Sequence, residues 1–345
     1  MVKIVSLVRL GDTARDEIQN VDASVELHIA AGWFDGELRE SWGDQTADSY
    51  LGAAQNVPPR AERDEMLATA DVVLGGFPVP VDLVARAPQL RWFHQTPAGA
   101  SNLRRCDLWG SDVIVTTSRG LGNTLAIAEY VVASFLHFAR GLHQASVDQQ
   151  GGGFDRMSYR PTLLADKTVC VVGAGGIGRE VGRLCAALGM RVVGTRRSLG
   201  DHPTPGFDHV GGPDDLHALL AESQFVAVCC QWTPDTHGLI GVEAFAAMPE
   251  GAVLVNVARG EIIDEDALVA ALPRLKGVAL DVYIGEFDRS PPDRLWSHPK
   301  VVITPHISAG ADVRSRRPIE LFCSNLRAFI AGGDLVNTID WTRGY

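Results

Sequence analysis

The sequence predicts an α/β protein with two doubly wound parallel sheets, and three observations indicate this class. Short apolar runs alternate with helical patterns along most of the chain, as they do where helices cover both faces of a parallel sheet. One apolar run, residues 169–172, leads directly into a glycine-rich turn and a helical stretch. The length of 345 residues exceeds what one hydrophobic core usually serves, so we expect two domains.

The first hundred residues already show this alternation. We expect helices at 60–70 and 81–87. The segment 35–57 is rich in Gly, Asp and Ser, and we expect it to form a loop over the surface. Strands are expected at 4–8, 25–30, 71–74, 91–94 and 113–116.

The rest of the chain divides at a long helical pattern. Residues 123–142 are expected to form the longest helix, followed by a glycine-containing loop at 149–159. A second alternating series runs from 167 to 304, and a last helix at 318–330 is too short to form a domain alone. We therefore expect that helix to complete the first domain, which gives two predicted domains: 1–120 with 310–345, and 121–309.

The glycine-rich turn at 173–178 has the spacing of a dinucleotide-binding loop. Gly173 permits the tight turn, Gly175 lets the backbone approach a pyrophosphate, and Gly178 lets helix and strand pack closely. Gly176 and Ile177 open the helix, whose N-terminus presents N–H groups and a partial positive charge. Because a strand precedes the pattern and a helix follows it, we predict that the second domain holds a nicotinamide-type cofactor.

The end of the next strand indicates which dinucleotide is bound. An acidic residue about 20 positions after the glycines reads the ribose 2′-hydroxyl of NAD, whereas an Arg there suits the 2′-phosphate of NADP. Arg196 lies 18 residues after Gly178, with Thr195, Arg197 and Ser198 beside it and no Asp or Glu adjacent. Guanidinium and hydroxyl groups suit a phosphate dianion. NADPH is therefore the preferred prediction, and NAD is possible.

Composition excludes other classes of partner. A net charge of −11 argues against nucleic acid, and it requires any site for an anionic ligand to be locally basic. No apolar run approaches the roughly 20 residues that span a bilayer, and the N-terminus lacks a signal-peptide pattern. The six cysteines show no C-x-x-C pairing. We expect a cytoplasmic protein without a membrane segment.

Polar side chains follow the apolar runs of the second series. Ligands bind outside the carboxyl ends of the strands in open parallel sheets, so these side chains should meet at the cofactor edge. No metal cluster or Ser-His-Asp spacing competes with them in the sequence. They are Arg259 after 252–257, Asp281 and Glu286 after 277–280, and His306 after 301–304.

These residues, with the glycine loop, resemble the D-isomer-specific 2-hydroxyacid dehydrogenases, and in particular their glyoxylate/hydroxypyruvate reductase-like members. The resemblance is specific from about 120 to 310 and looser before that. It is carried by segments 233–240, 255–265, 279–283 and 304–308, and by 97–103, which is similar to the family's glycine-containing substrate loop.

The resemblance implies a Rossmann cofactor domain inserted in a flavodoxin-like substrate domain, with the active site in the cleft. It also implies dimers formed through the cofactor domains. Asp281 would hold the nicotinamide carboxamide and so decide which face of the ring meets the substrate. The cofactor-binding positions implied beyond the glycine loop and the 195–198 segment are Cys230, Thr233, Ala258, Asp281 and Ala309.

The reaction requires these residue types. Hydride delivery to a 2-keto acid leaves an alkoxide, and His306 can supply the proton near neutral pH. Glu286 against the imidazole would stabilise the protonated ring and fix its orientation. The planar guanidinium of Arg259 can clamp the substrate carboxylate and polarise the carbonyl. We therefore predict an NAD(P)-dependent 2-keto acid reductase with these three catalytic residues.

Two departures from the family pattern bear on the substrate. The segment 75–78 stands where some members carry a basic residue, and Ser101 stands where an Asp is usual. The first departure favours a small monocarboxylate, such as glyoxylate or hydroxypyruvate, over a phosphorylated or phosphonate substrate. The second has no functional consequence that we can argue. The predicted substrate contacts of the first domain are backbone groups of Gly76, Phe77, Ala98 and Gly99, together with Arg259 and His306 of the second.

Other activities stay open at this point. The runner-up enzymes are a phosphoglycerate- or phosphite-type dehydrogenase of the same family. A formate dehydrogenase is disfavoured because that enzyme has a Gln at the position of Glu286. Some relatives are instead nucleotide-sensing corepressors that bind partners without turnover. The set of Arg259, Glu286 and His306 favours an enzyme over that alternative.

Overall fold

The computed structural model describes residues 1–32, 35–51, 58–199, 202–312 and 316–344. Its contacts divide the chain into two compact units. Unit 1 comprises Met1–Gly122, Phe287–Arg289 and Val313–Tyr345, and unit 2 comprises Asn123–Glu286 and Ser290–Asp312. Each unit has one parallel sheet, so the predicted α/β class with two parallel-sheet domains is confirmed.

Twelve strands are present in the described part of the chain. They are β1 (Val2–Ser6), β2 (Val25–Ile29), β3 (Val72–Gly75), β4 (Trp92–Gln95), β5 (Ile114–Thr117), β6 (Thr168–Val172), β7 (Arg191–Thr195), β8 (His209–Gly211), β9 (Phe225–Val228), β10 (Val253–Asn256), β11 (Gly277–Leu280) and β12 (Val301–Ile303).

Thirteen α-helices are present in the same residues. They are α1 (Asp12–Gln19), α2 (Asp35–Ser41), α3 (Asp44–Leu51), α4 (Arg60–Ala68), α5 (Leu83–Arg86), α6 (Thr124–Ala139), α7 (Leu142–Gly151), α8 (Gly176–Ala187), α9 (Leu216–Ala221), α10 (Val242–Ala247), α11 (Glu265–Ala271), α12 (Asp293–Trp296) and α13 (Arg317–Ile330).

The sheet of unit 1 has the strand order β2-β1-β3-β4-β5, the order of flavodoxin-like sheets. Helix α13 contributes to its core although it lies at the far end of the sequence. Phe322 and Leu326 of α13 are fully buried, and the Phe322 ring stacks on Trp92 with 5.0 Å between centroids. The apolar stripe of α13 is therefore covered by strands of unit 1.

The sheet of unit 2 has the order β12-β11-β10-β9-β6-β7-β8. Counted from β6, this is the Rossmann order with one additional strand at the edge. Neighbouring residues of its strands enter opposite cores: Val171 packs in one buried cluster and Val172 in the other. Because side chains alternate across a strand, both faces of this sheet are covered, which explains its nearly continuous apolar strands.

The prediction of a loop at 35–57 was wrong for the described part of that segment. Helices α2 and α3 occupy it, while residues 52–57 lie outside the described residues. Leu38 of α2 and Trp42, the residue directly after that helix, are both buried. The Glu37 carboxylate is also buried, where it accepts a hydrogen bond from Arg63 at 2.7 Å. Partners distant in sequence therefore stabilise helices that the local composition disfavours.

The helix predicted at 123–142 corresponds to α6, which ends at Ala139, and a second helix, α7, begins at Leu142. Gly141 has φ +74°, a left-handed conformation that ends α6 before α7 begins. Helix α7 continues to Gly151, so the loop predicted at 149–159 begins only at Gly152. Within the described residues, no single helix has the length and apolarity needed to cross a membrane. Helices α6 and α7 reach this length and apolarity only when they are taken together, and the chain bends by 59° between them.

His94 is a buried titratable group in the core of unit 1. The imidazole Nδ1 lies 2.7 Å from Thr116 Oγ1, and Nε2 lies 3.4 Å from Ser118 Oγ. Burial lowers the pKa of His94 to about 3. In the unfolded chain the same ring takes up a proton near its ordinary pKa of 6.5. The stabilising effect of keeping this ring neutral is therefore lost as the pH falls below 6.5.

We expect the free energy of unfolding to fall with decreasing pH between about 6.5 and 4, with His94 contributing up to about 1.4 kcal/mol per pH unit. The substitution His94→Gln removes this titration and should flatten the dependence by that amount. Urea unfolding of both proteins at a series of pH values measures the difference. Parallel curves would show that His94 does not titrate as its burial requires.

Candidate active site

The parallel register of unit 2 brings the carboxyl ends of its central strands to one edge. Val228 pairs with Val172 and with Asn256, Asn256 pairs with Leu280, and Leu280 pairs with Ile303. The segments that follow these five residues therefore leave the sheet side by side. They carry the glycine loop and the predicted residues that follow Asn256, Leu280 and Ile303.

The glycines of the loop are required by close contacts. Gly173 has φ +101°, and a Cβ there would lie 2.6 Å from the backbone of Cys230. A Cβ on Gly178 would lie 2.1 Å from the carbonyl oxygen of Gly173. A Cβ on Gly175, in contrast, would meet no atom within 4 Å. The loop is packed tightly against β6 and the segment that follows β9, and there is open space in front of Gly175.

That open space lies at the N-terminus of α8. Gly175, which has no side chain, is the N-cap residue, and the first turn consists of Gly176, Ile177 and Gly178. Backbone N–H groups of a first helical turn carry partial positive charge and suit a pyrophosphate. The residues present fit a dinucleotide at this position.

The segment after β7 carries the residues predicted to bind the adenosine ribose. The Thr195 carbonyl accepts hydrogen bonds from the N–H groups of Gly173 and Ala174, so this segment is fixed against the glycine loop. Arg196, Arg197 and Ser198 are exposed beside it, in keeping with a role in binding a ligand. The structure thus brings the two predicted cofactor-binding segments together.

The two arginines differ in their surroundings. The Arg196 N–H donates to the carbonyl of Gly211 at 2.9 Å, which fixes its backbone. The Arg197 guanidinium forms an ion pair with Asp235 at 3.2 Å. A carboxylate beside Arg197 competes with a phosphate for that guanidinium. Arg196 is therefore the better candidate for a 2′-phosphate contact.

Arg259 stands on a turn fixed by a buried amide. The Asn256 side chain accepts from the Ala258 N–H at 3.0 Å and donates to the Arg259 carbonyl at 2.9 Å. Sequence reasoning missed Asn256, although an amide at the last position of an apolar strand was a usable signal. Gly260 is tightly enclosed, because a Cβ there would lie 2.2 Å from the Tyr283 carbonyl carbon. The hydrogen bonds of Asn256 and the close packing of Gly260 therefore fix the backbone on both sides of the Arg259 side chain.

The Arg259 guanidinium lies among carboxylates. Burial lowers the pKa of Arg259, and the nearby charges of Glu286, Glu261 and Asp281 act in the opposite direction. A guanidinium remains charged at neutral pH even after such a shift. Arg259 therefore provides fixed positive charge in an otherwise acidic environment, as a carboxylate clamp requires.

His306 contacts Glu286, as the sequence predicted for this pair. Their atoms Nδ1 and Oε1 are 3.2 Å apart. The imidazole is 38% exposed, whereas the carboxylate is only 9% exposed. Because the contact uses Nδ1, proton exchange with a substrate would use Nε2 of the ring. The pair has the geometry of an accessible acid–base group held by a buried carboxylate.

The other predicted cofactor residues lie at the same edge or in the segments that follow it. Thr233 is buried, and its N–H donates to Thr236 Oγ1 at 2.8 Å. The Ala309 carbonyl accepts from the Asn123 amide at 2.9 Å. Burial raises the pKa of Cys230 to about 12, so its thiol is not a nucleophile at neutral pH. The described residues contain no cluster of three or more side chains suited to a metal ion.

The predicted substrate residues of unit 1 lie in two ordered loops. Gly76 is tightly packed, since a Cβ there would lie 2.6 Å from Val8 Cγ1. The Gly99 carbonyl accepts from the Gln95 amide, and Gln95 and Asn102 exchange hydrogen bonds at 3.0 and 3.1 Å. The loop that contains Ala98 and Gly99 is therefore held by a buried amide pair.

Phe77 stands in an aromatic cluster of unit 1. Its ring centroid is 4.9 Å from those of Trp42 and Phe287 and 5.6 Å from that of Tyr50. Trp42 is buried and donates from Nε1 to the Val79 carbonyl at 2.9 Å. Aromatic groups surround this loop, with no Lys or Arg in segment 75–78.

Comparison with known proteins gives the class. Residues 132–308, about half of the chain, match the model of the D-isomer specific 2-hydroxyacid dehydrogenase NAD binding domain. The chain belongs to this family of NAD(P)-dependent oxidoreductases.

Several relatives show how far the likeness extends. D-3-phosphoglycerate dehydrogenase of Archaeoglobus fulgidus is 33% identical over 250 residues, which cover 70% of this chain and 45% of that protein. The enzyme of the same name from Mycobacterium tuberculosis is 31% identical over 288 residues, covering 79% and 52%. The chain spans about half the length of these curated relatives.

Solved structures match over the whole chain. A D-isomer specific 2-hydroxyacid dehydrogenase from Xanthobacter autotrophicus Py2, solved in complex with NADPH and MES, is similar with a TM-score of 0.75 and 26% identity. The match covers 100% of this chain and 99% of that one. The likeness therefore includes both units, beyond the residues matched by the family model.

Proposed function

We propose that this protein reduces a small 2-keto acid to the D-2-hydroxy acid, with NADPH as the preferred cofactor. The observation that carries the proposal is the contact of His306 with Glu286 at the strand edge that also carries Arg259 and the glycine loop. An acid–base group, a carboxylate clamp and a dinucleotide loop are the parts that such a reduction requires.

The proposed chemistry assigns one task to each side chain. A bound reduced nicotinamide supplies the hydride that the carbonyl carbon accepts. His306 gives the proton from Nε2 to the carbonyl oxygen as negative charge develops there. Glu286 stabilises the positive charge of the ring before this transfer and fixes the ring through Nδ1. In the reverse reaction the neutral imidazole takes the proton from the hydroxyl group.

Arg259 orients the substrate in this proposal. A guanidinium can hold a carboxylate through two parallel hydrogen bonds, which fixes the position of the neighbouring carbonyl. Partial burial strengthens this interaction relative to one in water. Asn256 contributes by holding the turn on which Arg259 stands. Holding the reactive carbon in place lowers the entropic part of the barrier.

The cofactor preference rests on the segment after β7. Arg196 is exposed next to the glycine loop, with no acidic residue adjacent in sequence to bind a ribose 2′-hydroxyl. The relative from Xanthobacter, solved with NADPH, supports the same reading. Arg197 contributes less because Asp235 already pairs with it. NAD use remains possible under this proposal, at lower efficiency.

The loops of unit 1 support the proposed substrate class. Backbone groups of Gly76, Phe77, Ala98 and Gly99 are the proposed contacts, and segments 75–78 and 97–100 contain no basic side chain. A small monocarboxylate fits such a loop better than a doubly charged phosphate ester. Phosphoglycerate oxidation is the second candidate, because the curated relatives carry that name.

We also propose a homodimer formed through unit 2. Helix α7 and the segment after it expose large apolar side chains at a density that favours a contact between proteins. These side chains are Leu142, Val147, Phe154, Met157 and Leu163. A cytoplasmic location is part of the same proposal, because all six cysteines are unpaired.

The direct test is a panel of 2-keto acids assayed with NADPH, including glyoxylate, hydroxypyruvate and 3-phosphohydroxypyruvate. We expect turnover of the small monocarboxylates and a loss of about 10²–10⁴ in kcat for His306→Ala, with cofactor affinity kept. Retention of more than a tenth of the rate would mean that another residue is the acid. A preference for 3-phosphohydroxypyruvate would replace the proposed substrate with the second candidate.

The cofactor proposal predicts that kcat/KM for NADPH exceeds that for NADH at least about tenfold, or roughly 1.4 kcal/mol. Arg196→Asp should narrow or reverse this ratio, because it removes the phosphate contact and adds repulsion. Arg191→Asp, the same charge change at the opposite end of β7, is the matched control and should leave the ratio unchanged. Equal efficiency of both cofactors in the native protein would contradict the 2′-phosphate contact.

A further inference from the structure

The turn that carries His306 has an unusual backbone. His306 has φ +52°, the left-handed conformation that side-chain-bearing residues rarely adopt. Such a conformation costs on the order of 1–3 kcal/mol and persists only where the surroundings fix it. The His306 N–H donates to the backbone carbonyls of Asp281 at 3.0 Å and Thr304 at 2.9 Å. The direction of the imidazole therefore depends on whatever holds this turn.

The Asp281 carboxylate is one of the groups that hold this turn. It is 1% exposed and accepts from the Ile307 N–H at 2.8 Å through Oδ1, and from the Ser308 N–H at 2.9 Å through Oδ2. Both donors directly follow His306 in the chain. Hydrogen bonds from N–H groups to a buried carboxylate are stronger than bonds between neutral groups. Asp281 thus fixes the backbone immediately after the proposed acid.

Two hydroxyl groups extend this arrangement. Thr304 Oγ1 donates to Asp281 Oδ1 at 2.7 Å, and Tyr130 Oη lies 2.7 Å from Thr304 Oγ1. Because Thr304 has one hydroxyl proton and gives it to Asp281, the Tyr130 hydroxyl must be the donor to Thr304. Burial raises the pKa of Tyr130, so its hydroxyl keeps the proton. Each hydrogen bond in such a chain polarises the next and strengthens it.

We propose that Tyr130, Thr304 and Asp281 form a positioning chain that sets the geometry of His306. The chain runs from α6 through the end of β12 to the end of β11, and it fixes the rotation of the Asp281 carboxylate, which in turn holds the left-handed turn. The proposal rests on the proposed function in that His306 is the acid of the reaction. Tyr130 and Thr304 act only through Asp281, and they are positioning residues.

The positioning chain involves Asp281 in two roles, one toward the His306 turn and one toward the nicotinamide. A carboxylate offers about four acceptor positions, and three are used by Thr304, Ile307 and Ser308. The family resemblance assigns the nicotinamide carboxamide to the same carboxylate. Loss of the Thr304 hydrogen bond would free the carboxylate to rotate. Both the His306 turn and the orientation of the nicotinamide would then be less defined.

The test compares two substitutions at one position. Thr304→Val keeps the shape of the side chain and removes the hydroxyl group, whereas Thr304→Ser keeps the hydroxyl and removes the methyl group. We expect Thr304→Val to lower kcat for keto acid reduction at least about tenfold, with KM for the keto acid changed less than threefold. Thr304→Ser should remain within about threefold of the native kcat. Thermal unfolding of each variant checks that the fold is kept.

A second readout does not depend on activity. The ring ¹⁵N signals of His306, assigned by their loss in His306→Gln, should move in Thr304→Val and remain near the native position in Thr304→Ser. Tyr130→Phe should move the His306 signals in the same direction by a smaller amount. This variant replaces Thr304→Val in the comparison if Thr304→Val does not fold. A native protein inactive on every keto acid would refute the proposed function, while the NMR comparison would still decide the positioning chain.

Two outcomes would overturn the proposal. Native-like kcat and ring signals in Thr304→Val would show that the hydroxyl group does not position His306. Equal losses in Thr304→Val and Thr304→Ser would show that the methyl group, through packing, is what matters at this position.

Discussion

The parallel register of the unit 2 sheet is the constraint on which the rest of the site depends. Strands β6, β9, β10, β11 and β12 all run in the same direction, so the segments that leave their carboxyl ends are neighbours in space although they are distant in sequence. The glycine loop, the Arg259 turn and the His306 turn are three such segments. Both faces of the sheet are covered by buried apolar clusters, which keep this edge rigid.

Local charge at this edge compensates for the charge of the whole protein. The chain has a net charge of −11, yet the proposed cofactor and substrate are anions. Arg259, Arg196 and the N-terminus of α8 supply positive potential where these anions would bind. The acidic groups there have other tasks: Glu286 contacts His306, and Asp281 accepts hydrogen bonds from a turn. The positions of the charged groups at this edge therefore allow an anion to bind there, although the net charge of the protein is negative.

Much of this could be predicted from the sequence because it depends on local patterns. Apolar runs followed by Gly173–Gly178, Arg259 and His306 predict a sheet edge directly, and the parallel fold class and the family are confirmed. The helices at 35–51 were missed because Leu38 and Trp42 are buried by partners far away in the chain. The ion pair of Arg197 with Asp235 was missed for the same reason, since it joins segments after two different strands.

Positioning residues are the hardest to predict. Asn256, Thr304 and Tyr130 act by holding the backbone or the carboxylate of another residue, and their side chains have no chemistry that points to the reaction. Their roles are visible only in the hydrogen-bond distances of the structure. Asn256 bridges two backbone groups, and Thr304 connects Tyr130 with Asp281. Sequence patterns indicate the candidate reactive groups, whereas the structure shows what holds them in place.

If Glu286 and His306 act as one acid–base pair in keto acid reduction, the dependence of the reduction rate on pH changes when the carboxylate is removed. Reduction requires the protonated imidazole, which the carboxylate of Glu286 stabilises across 3.2 Å. The measurement is kcat/KM for reduction over a range of pH in the native protein and in Glu286→Gln, which keeps the shape and removes the charge. We expect the two profiles to differ, with reduction by Glu286→Gln slower at neutral pH because no carboxylate then balances the positive charge that the ring carries before proton transfer. Superimposable profiles would contradict this expectation.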